Sequence, residues 1–335
     1  MFGEVPAELP QKFVFLLLEQ FSMLPVVSAV EPLRLANRFG ERDFYSWQMA
    51  YAGDTPVTAS NGLTLGQQIP LDEVPEQTTL VVCSGLDPRF SVPESVIPAL
   101  RKRSRRGADI GAVCTGTHIL ALAGLINDYT CTIHWENKLA IEEEFPDINI
   151  TEHLFEIDRN RFTCAGGAAA MDMMLALIAE QHGTDLASDV AEQIIHSPVR
   201  SHAEGQRPSR AARIGMRHPR LAGILSAMDA NVEDPVSPSR LAADAGLSTR
   251  QLERLFRRYI GRSPKRYFLE LRLKRARHYL LQTEMPVGDV AVACGFTTTS
   301  HFSKCYRGFF GNTPHKERGL PERRVTGIVD ATLEP

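Results

Sequence analysis

The chain is poor in the features that mark many common protein classes. Its 335 residues include only 2 Trp, with aromatic residues at 7%. Six cysteines, Cys83, Cys114, Cys131, Cys164, Cys294 and Cys305, show no Cys-x-x-Cys spacing, so no zinc site is expected. No long hydrophobic run is present: near the start, residues 13–18 are a strand's length and too short to cross a bilayer. No basic stretch precedes them, so neither a secretory leader nor a membrane span is expected, and reduced thiols in a cytoplasmic protein are. No metal or cofactor is expected.

Net charge is also nearly absent, at −3, but the balance hides a division. Residues 1–196 carry 13 Lys and Arg against 27 Asp and Glu, whereas residues 197–320 carry 22 against 10. A basic module on an acidic body suits phosphate neutralisation by one part and repulsion of nucleic acid by the other. The length is enough for two cores. The expected organisation is a domain over residues 1–196, a linker over 197–219, a second domain over 220–320 and a tail over 321–335.

Two stretches of the basic part, residues 241–267 and 290–317, repeat one pattern. Each has an Ala-rich helix, a glycine (Gly246, Gly295), a Ser/Thr cluster able to cap a second helix, and a Gly-x-Ser/Thr-Pro ending. In the second helix Leu252, Leu255, Phe256 and Tyr259 match Phe302, Cys305, Tyr306 and Phe309, the spacing of one buried stripe. The outward positions are polar: Arg250, Gln251, Arg254, Arg257 and Arg258 in one copy, Ser300, His301, Lys304 and Arg307 in the other. Between the copies, Ser263 and Pro264 open a connecting helix through about residue 281, roughly 27 Å long. Such a helix can place two reading helices in successive major-groove segments about 34 Å apart.

This duplication resembles the DNA-binding domain of the AraC/XylS family of bacterial transcription regulators, over residues 221–320. The resemblance implies an all-α domain with two helix-turn-helix units on operator DNA. The residues expected to contact DNA are Arg250, Gln251, Arg254, Arg258, Ser300, His301, Lys304 and Arg307.

The first part alternates strands and helices. Strands are expected at residues 12–18, 46–52, 78–83, 109–113 and twice within 154–164. Helices are expected at 25–39, 92–106, 115–123, 134–145 and 167–182, and a small hairpin at 57–65 around Asn61-Gly62. The basic run 101–106 reads as a solvated helix end. Continuous apolar strands between helices predict an α/β domain with a mainly parallel, flavodoxin-like layered sheet.

After the strand at 109–113 the chain turns through Cys114-Thr115-Gly116 into a helix, a nucleophile-elbow pattern. With Ala123-Gly124-Leu125 and Ile133-His134-Trp135, this segment resembles the class I glutamine amidotransferase-like, DJ-1/PfpI-type domain. Fused to an AraC-type domain, it resembles the GlxA-type regulators. In catalytic members of the DJ-1/PfpI group a histidine follows the cysteine, and DJ-1-type members place a carboxylate in the first helix region. Here those positions hold Thr115 and Pro25, so no catalytic residue is expected.

The elbow reads instead as a ligand site formed by Phe21, Cys114, Thr115, Gly116, Thr117, His134 and Trp135. Amides of residues 115–117 would receive a carboxylate, and the aromatic rings, Trp47 among them, would cover a cation. Phe21-Ser22-Met23 with residues 31–38 resembles the branch that senses quaternary amines or amino-acid metabolites, such as glycine betaine or carnitine. The expected protein is a cytoplasmic, homodimeric regulator that activates transcription with RNA polymerase under control of a small effector. The rival readings are a Cys-dependent amidase or hydrolase with an accessory DNA module, and a ligand-independent DNA-binding protein.

Overall fold

A computed structural model of the chain describes residues 2–4, 9–85, 92–196, 198–206 and 218–318. They form two compact units that divide after Gln206. In chain order the first contains β1 (Gln11–Leu17), α1 (Met23–Phe39), β2 (Tyr45–Tyr51), β3 (Gln68–Pro70), β4 (Thr79–Cys83) and α2 (Val96–Arg105). There follow β5 (Ile110–Val113), α3 (Gly116–Leu122), β6 (Thr130–Thr132), α4 (Lys138–Glu144) and β7 (Asn149–Thr151). The unit continues with β8 (Phe155–Asp158), β9 (Arg161–Cys164), α5 (Ala169–His182) and α6 (Thr184–Ile194).

Seven strands form one sheet in the order β3-β2-β1-β4-β5-β9-β8, parallel except for the β8–β9 hairpin. β1 shows why it is covered on both faces. Phe13, Phe15 and Leu17 enter one core with Val26 and Leu33 of α1 and Met173 and Leu177 of α5. Val14 and Leu16, pointing oppositely, meet Val96 and Leu100 of α2 and Ile119 of α3. The expected α/β domain with its mainly parallel sheet is therefore present.

Several local expectations need correction. Residues 57–65 form no paired strands: a turn is closed by Ala59 N–H on Leu63 O, and Gln68 satisfies Val57 with its side chain. The helix expected from residue 134 begins at Lys138, because His134 to Asn137 form a turn closed by Asn137 N–H on His134 O. The basic run is not simply solvated. Arg103 is buried, and its guanidinium donates to the carbonyls of Val74 and Pro75.

The expected linker start at Ser197 also fails, because residues 198–206 are tied to the first unit. Leu154 N–H donates to His202 O and Glu204 O, and Gln206 Nε2 donates to Thr132 Oγ1, Ile133 O and His153 O. Arg200 donates through its backbone and guanidinium to the fully buried Asp172, which also meets His196 Nε2 at 2.7 Å. Most of the remaining expected linker, and the tail at 321–335, lie outside the described residues.

The second unit is helical: α7 (Pro219–Ala230), α8 (Pro238–Asp244), α9 (Thr249–Tyr259), α10 (Pro264–Gln282), α11 (Val287–Ala293), α12 (Thr299–Phe310) and α13 (Pro314–Arg318). Its starts follow from the sequence. Hydroxyls of Ser237, Ser248, Ser263 and Thr298 each accept from a first-turn backbone N–H of the helix they open. Such caps contribute about 1 kcal/mol each. The repeat yields two small cores. Leu241 of α8, Leu252 and Phe256 of α9, and Tyr267 and Phe268 of α10 share one with α7. Leu273, Ala276 and Leu280 of α10 share the other with Val290 of α11 and Phe302 and Tyr306 of α12. Among the described residues, no helix is long and apolar enough to cross a membrane.

Candidate functional site

α9 and α12 are the second helices of the two repeats, and their buried stripes agree. Leu252 and Phe256 correspond to Phe302 and Tyr306, all fully buried, while Leu255 and Cys305 are partly covered in both. Tyr259 departs from the expected stripe: it is 40% exposed, at the helix end. On the opposite faces Arg250, Gln251, Arg254, Arg258, Ser300, His301, Lys304 and Arg307 are all exposed.

Among the described residues, three of these side chains have intramolecular partners: Arg258, whose guanidinium stands 5.5 Å from the Tyr259 ring centre, Gln251 and His301. Gln251 completes a capping box, its Oε1 accepting from Ser248 N–H at 2.8 Å, which leaves its amide NH2 as the outward group. His301 Nε2 lies 3.4 Å from Cys305 Sγ, and its ring meets Phe296 edge-on at 5.8 Å. Sequence reasoning missed Arg272 on α10. Its guanidinium donates to Cys294 O at 2.7 Å and Gly295 O at 2.6 Å, and stands 4.1 Å from the Phe296 ring centre. Only its position within the connecting helix was readable beforehand.

In the first unit, Cys114 follows β5 with φ +60°, a left-handed backbone rare for residues other than glycine. Its N–H is held by Cys164 O at 2.9 Å. Gly116 lets the turn close, since a Cβ there would stand 2.2 Å from Val82 O. Thr115 Oγ1 donates to Gly85 O, and Thr117 Oγ1 donates to Thr132 O at 2.8 Å. The latter bond brings the strand before His134 and Trp135 beside the elbow helix.

The thiol's surroundings are those of a core residue. Cys114 Sγ meets Ser22 Oγ at 3.8 Å. Burial pushes the thiol above its ordinary value; hydrogen bonds from Ser22 and the Thr115 amide oppose the rise, and the nearby Glu136 carboxylate adds to it. Burial also pushes the neighbouring Cys164 up to about 12. His134 Nδ1 faces Glu136 Oε2 at 3.7 Å, and its ring lies 5.4 Å from that of Trp135. Phe21 is fully buried in the sheet's core and its backbone bridges to Gly85, so it offers no open ring face. Trp47 packs against that core, and both Trp47 and Trp135 are partly exposed. Ser84 Oγ, just past the end of β4, is buried without a hydrogen-bond partner among the described residues.

Comparison with known proteins joins the two units. Residues 11–180 match the DJ-1/PfpI family and residues 241–319 match the helix-turn-helix domain. The HTH-type transcriptional regulator GbdR of Pseudomonas aeruginosa is 43% identical, over 92% of this chain and 84% of that protein. The HTH-type transcriptional regulator GlxA of Rhizobium meliloti is 37% identical, over 91% and 94% respectively. A crystal structure of an AraC family transcriptional regulator from Pseudomonas putida covers 55% of this chain and 100% of its own, at 30% identity and a TM-score of 0.51. With a DJ-1/PfpI domain joined to an AraC-type helix-turn-helix domain, the chain belongs to the GlxA-type family of DNA-binding transcription regulators.

Proposed function

We propose that one protomer reads operator DNA with both helix-turn-helix units. Arg250, Gln251, Arg254 and Arg258 serve one groove segment; Ser300, His301, Lys304 and Arg307 serve the next. The observation carrying this reading is the matched geometry of α9 and α12, where equivalent faces are buried in separate cores and the opposite faces expose eight polar side chains. Arg254→Ala is expected to weaken operator binding about tenfold, the worth of one good base contact at ~1–3 kcal/mol. Lys304→Ala should act on the other half of the site. A footprint of the double variant indistinguishable from the native one would exclude the two-reader arrangement.

The elbow side of the first unit supplies control. In this reading a small zwitterion, of the glycine betaine or carnitine kind, binds there with Trp135 toward its cation. Ser84, whose hydroxyl has no partner among the described residues, stands just past the end of the strand beside it. Cys114 shapes this site and is not a nucleophile in this reading: burial pushes its thiol above the ordinary value, and Thr115 rather than a histidine follows it. Effector binding shifts a homodimer between two arrangements in the cytoplasm, and the active one engages RNA polymerase to activate transcription. The resemblance to the GlxA-type family is the support for these last steps.

A further inference from the structure

α10 belongs to both cores of the second unit. Tyr267 and Phe268 pack with the first repeat, while Leu273, Ala276 and Leu280 pack with the second. Arg272 sits where the allegiance changes. Its guanidinium makes a forked pair of hydrogen bonds to Cys294 O and Gly295 O, just past the end of α11, where helix carbonyls are left over. The same group stands over the Phe296 ring, 4.1 Å from its centre.

The joint also includes the loop after α7, whose Val232 is buried in the first core. Gly295 has φ +72°, and a Cβ there would stand 2.6 Å from Val232 O and 2.7 Å from Glu233 O, in the loop after α7. Phe296 passes the contact onward, lying 5.1 Å from Phe302 and 5.8 Å from His301 on α12. One arginine thus touches the turn of the second repeat at the point where that turn presses on the loop that leads from α7 into the first repeat.

We infer that Arg272 is a positioning residue that holds α12 in register with α9, so that both groove segments are engaged together. Two reading helices on a common rigid frame tolerate only one separation of the two half-sites. A frame without its clamp tolerates several and gains less from the second contact. Lysine cannot substitute for the arginine, because an ammonium offers neither a planar fork nor a stacking face. The inference rests on the two-reader arrangement proposed above.

The test uses the full chain and a duplex selected by the native protein from a random-sequence pool. A second duplex carries one extra base pair between the two half-sites. Native protein is expected to bind the lengthened duplex about tenfold more weakly. Arg272→Lys, Arg272→Ala and Phe296→Leu should keep protection of the α9 half, weaken protection of the α12 half and lose most of the spacing penalty.

Circular dichroism separates folded from unfolded variants. If Arg272→Ala does not fold, Arg272→Lys and Phe296→Leu carry the test. Folded variants with the native footprint and the native spacing penalty would overturn the inference, as would equal loss at both halves. Should Arg254→Ala and Lys304→Ala fail to act on separate halves, the two-reader arrangement itself falls. If they do so act and the Arg272 variants behave as native, only the positioning role falls.

Discussion

At the elbow, a left-handed backbone at Cys114 presents the side chain as a nucleophile elbow would, yet burial pushes its thiol above the ordinary value. The reactive species in alkylation is the thiolate, whose fraction falls about tenfold for each unit that the pKa rises above ambient pH. Iodoacetamide at neutral pH should therefore modify Cys114 more slowly in the native protein than in urea-unfolded protein. Peptide mass spectrometry would measure this, and equal rates would show that the fold does not suppress thiolate formation at Cys114. Amides and esters should show no turnover that Cys114→Ser abolishes. Trp135 carries a separate expectation. A cation on an aromatic face gains about 0.5–2 kcal/mol, so calorimetry should find glycine betaine or carnitine favoured over a neutral isostere by about tenfold. Trp135→Ala should erase that preference, and an unchanged preference would remove Trp135 from the site.

Elements with a strong local code were readable from sequence. β1 and α1 declared themselves by apolar pattern, and α9 and α12 by hydroxyl caps and matched stripes. The failures arose where long-range partners decide. Residues 198–206 look like polar linker, because nothing local says that Gln206 will bind Thr132 or that Arg200 will find Asp172. Arg103 looked solvated for the same reason: its acceptors, Val74 O and Pro75 O, lie far away in the sequence. At the candidate sites, the outward faces of the reading helices followed from periodicity. The burial of Phe21 and the joint at Arg272 depend on packing between elements and left no local signal. The 198–206 segment also gives a measurable consequence. Asp172→Asn keeps the shape but removes the charge that Arg200 and His196 share, and breaking such a buried pair costs several kcal/mol, about 3–5. Trypsin should then cleave after Arg200 at least about tenfold faster, since ~1.4 kcal/mol of lost closure already corresponds to that factor. A cleavage rate equal to native would mean that the segment is held by its other bonds alone.

Across the whole molecule, charge is partitioned by domain, with the positive excess in residues 197–320. Each phosphate neutralised by a cationic side chain steepens the plot of log affinity against log salt by about 0.9. Arg258→Ala should flatten that slope by about one unit and leave the preference between duplex sequences intact, as for a backbone contact. An altered sequence preference would instead place Arg258 on a base edge. The shared helix α10 has a consequence for how the second unit comes apart. Melting the second repeat would strip Leu273, Ala276 and Leu280 of their cover while Tyr267 and Phe268, on the same rod, remained buried in the first. Neither half can shed its partner without leaving an apolar flank in water. The duplicated unit therefore unfolds as a single cooperative block, and a chain ending at Gln282 would carry a sticky surface where the second repeat had been.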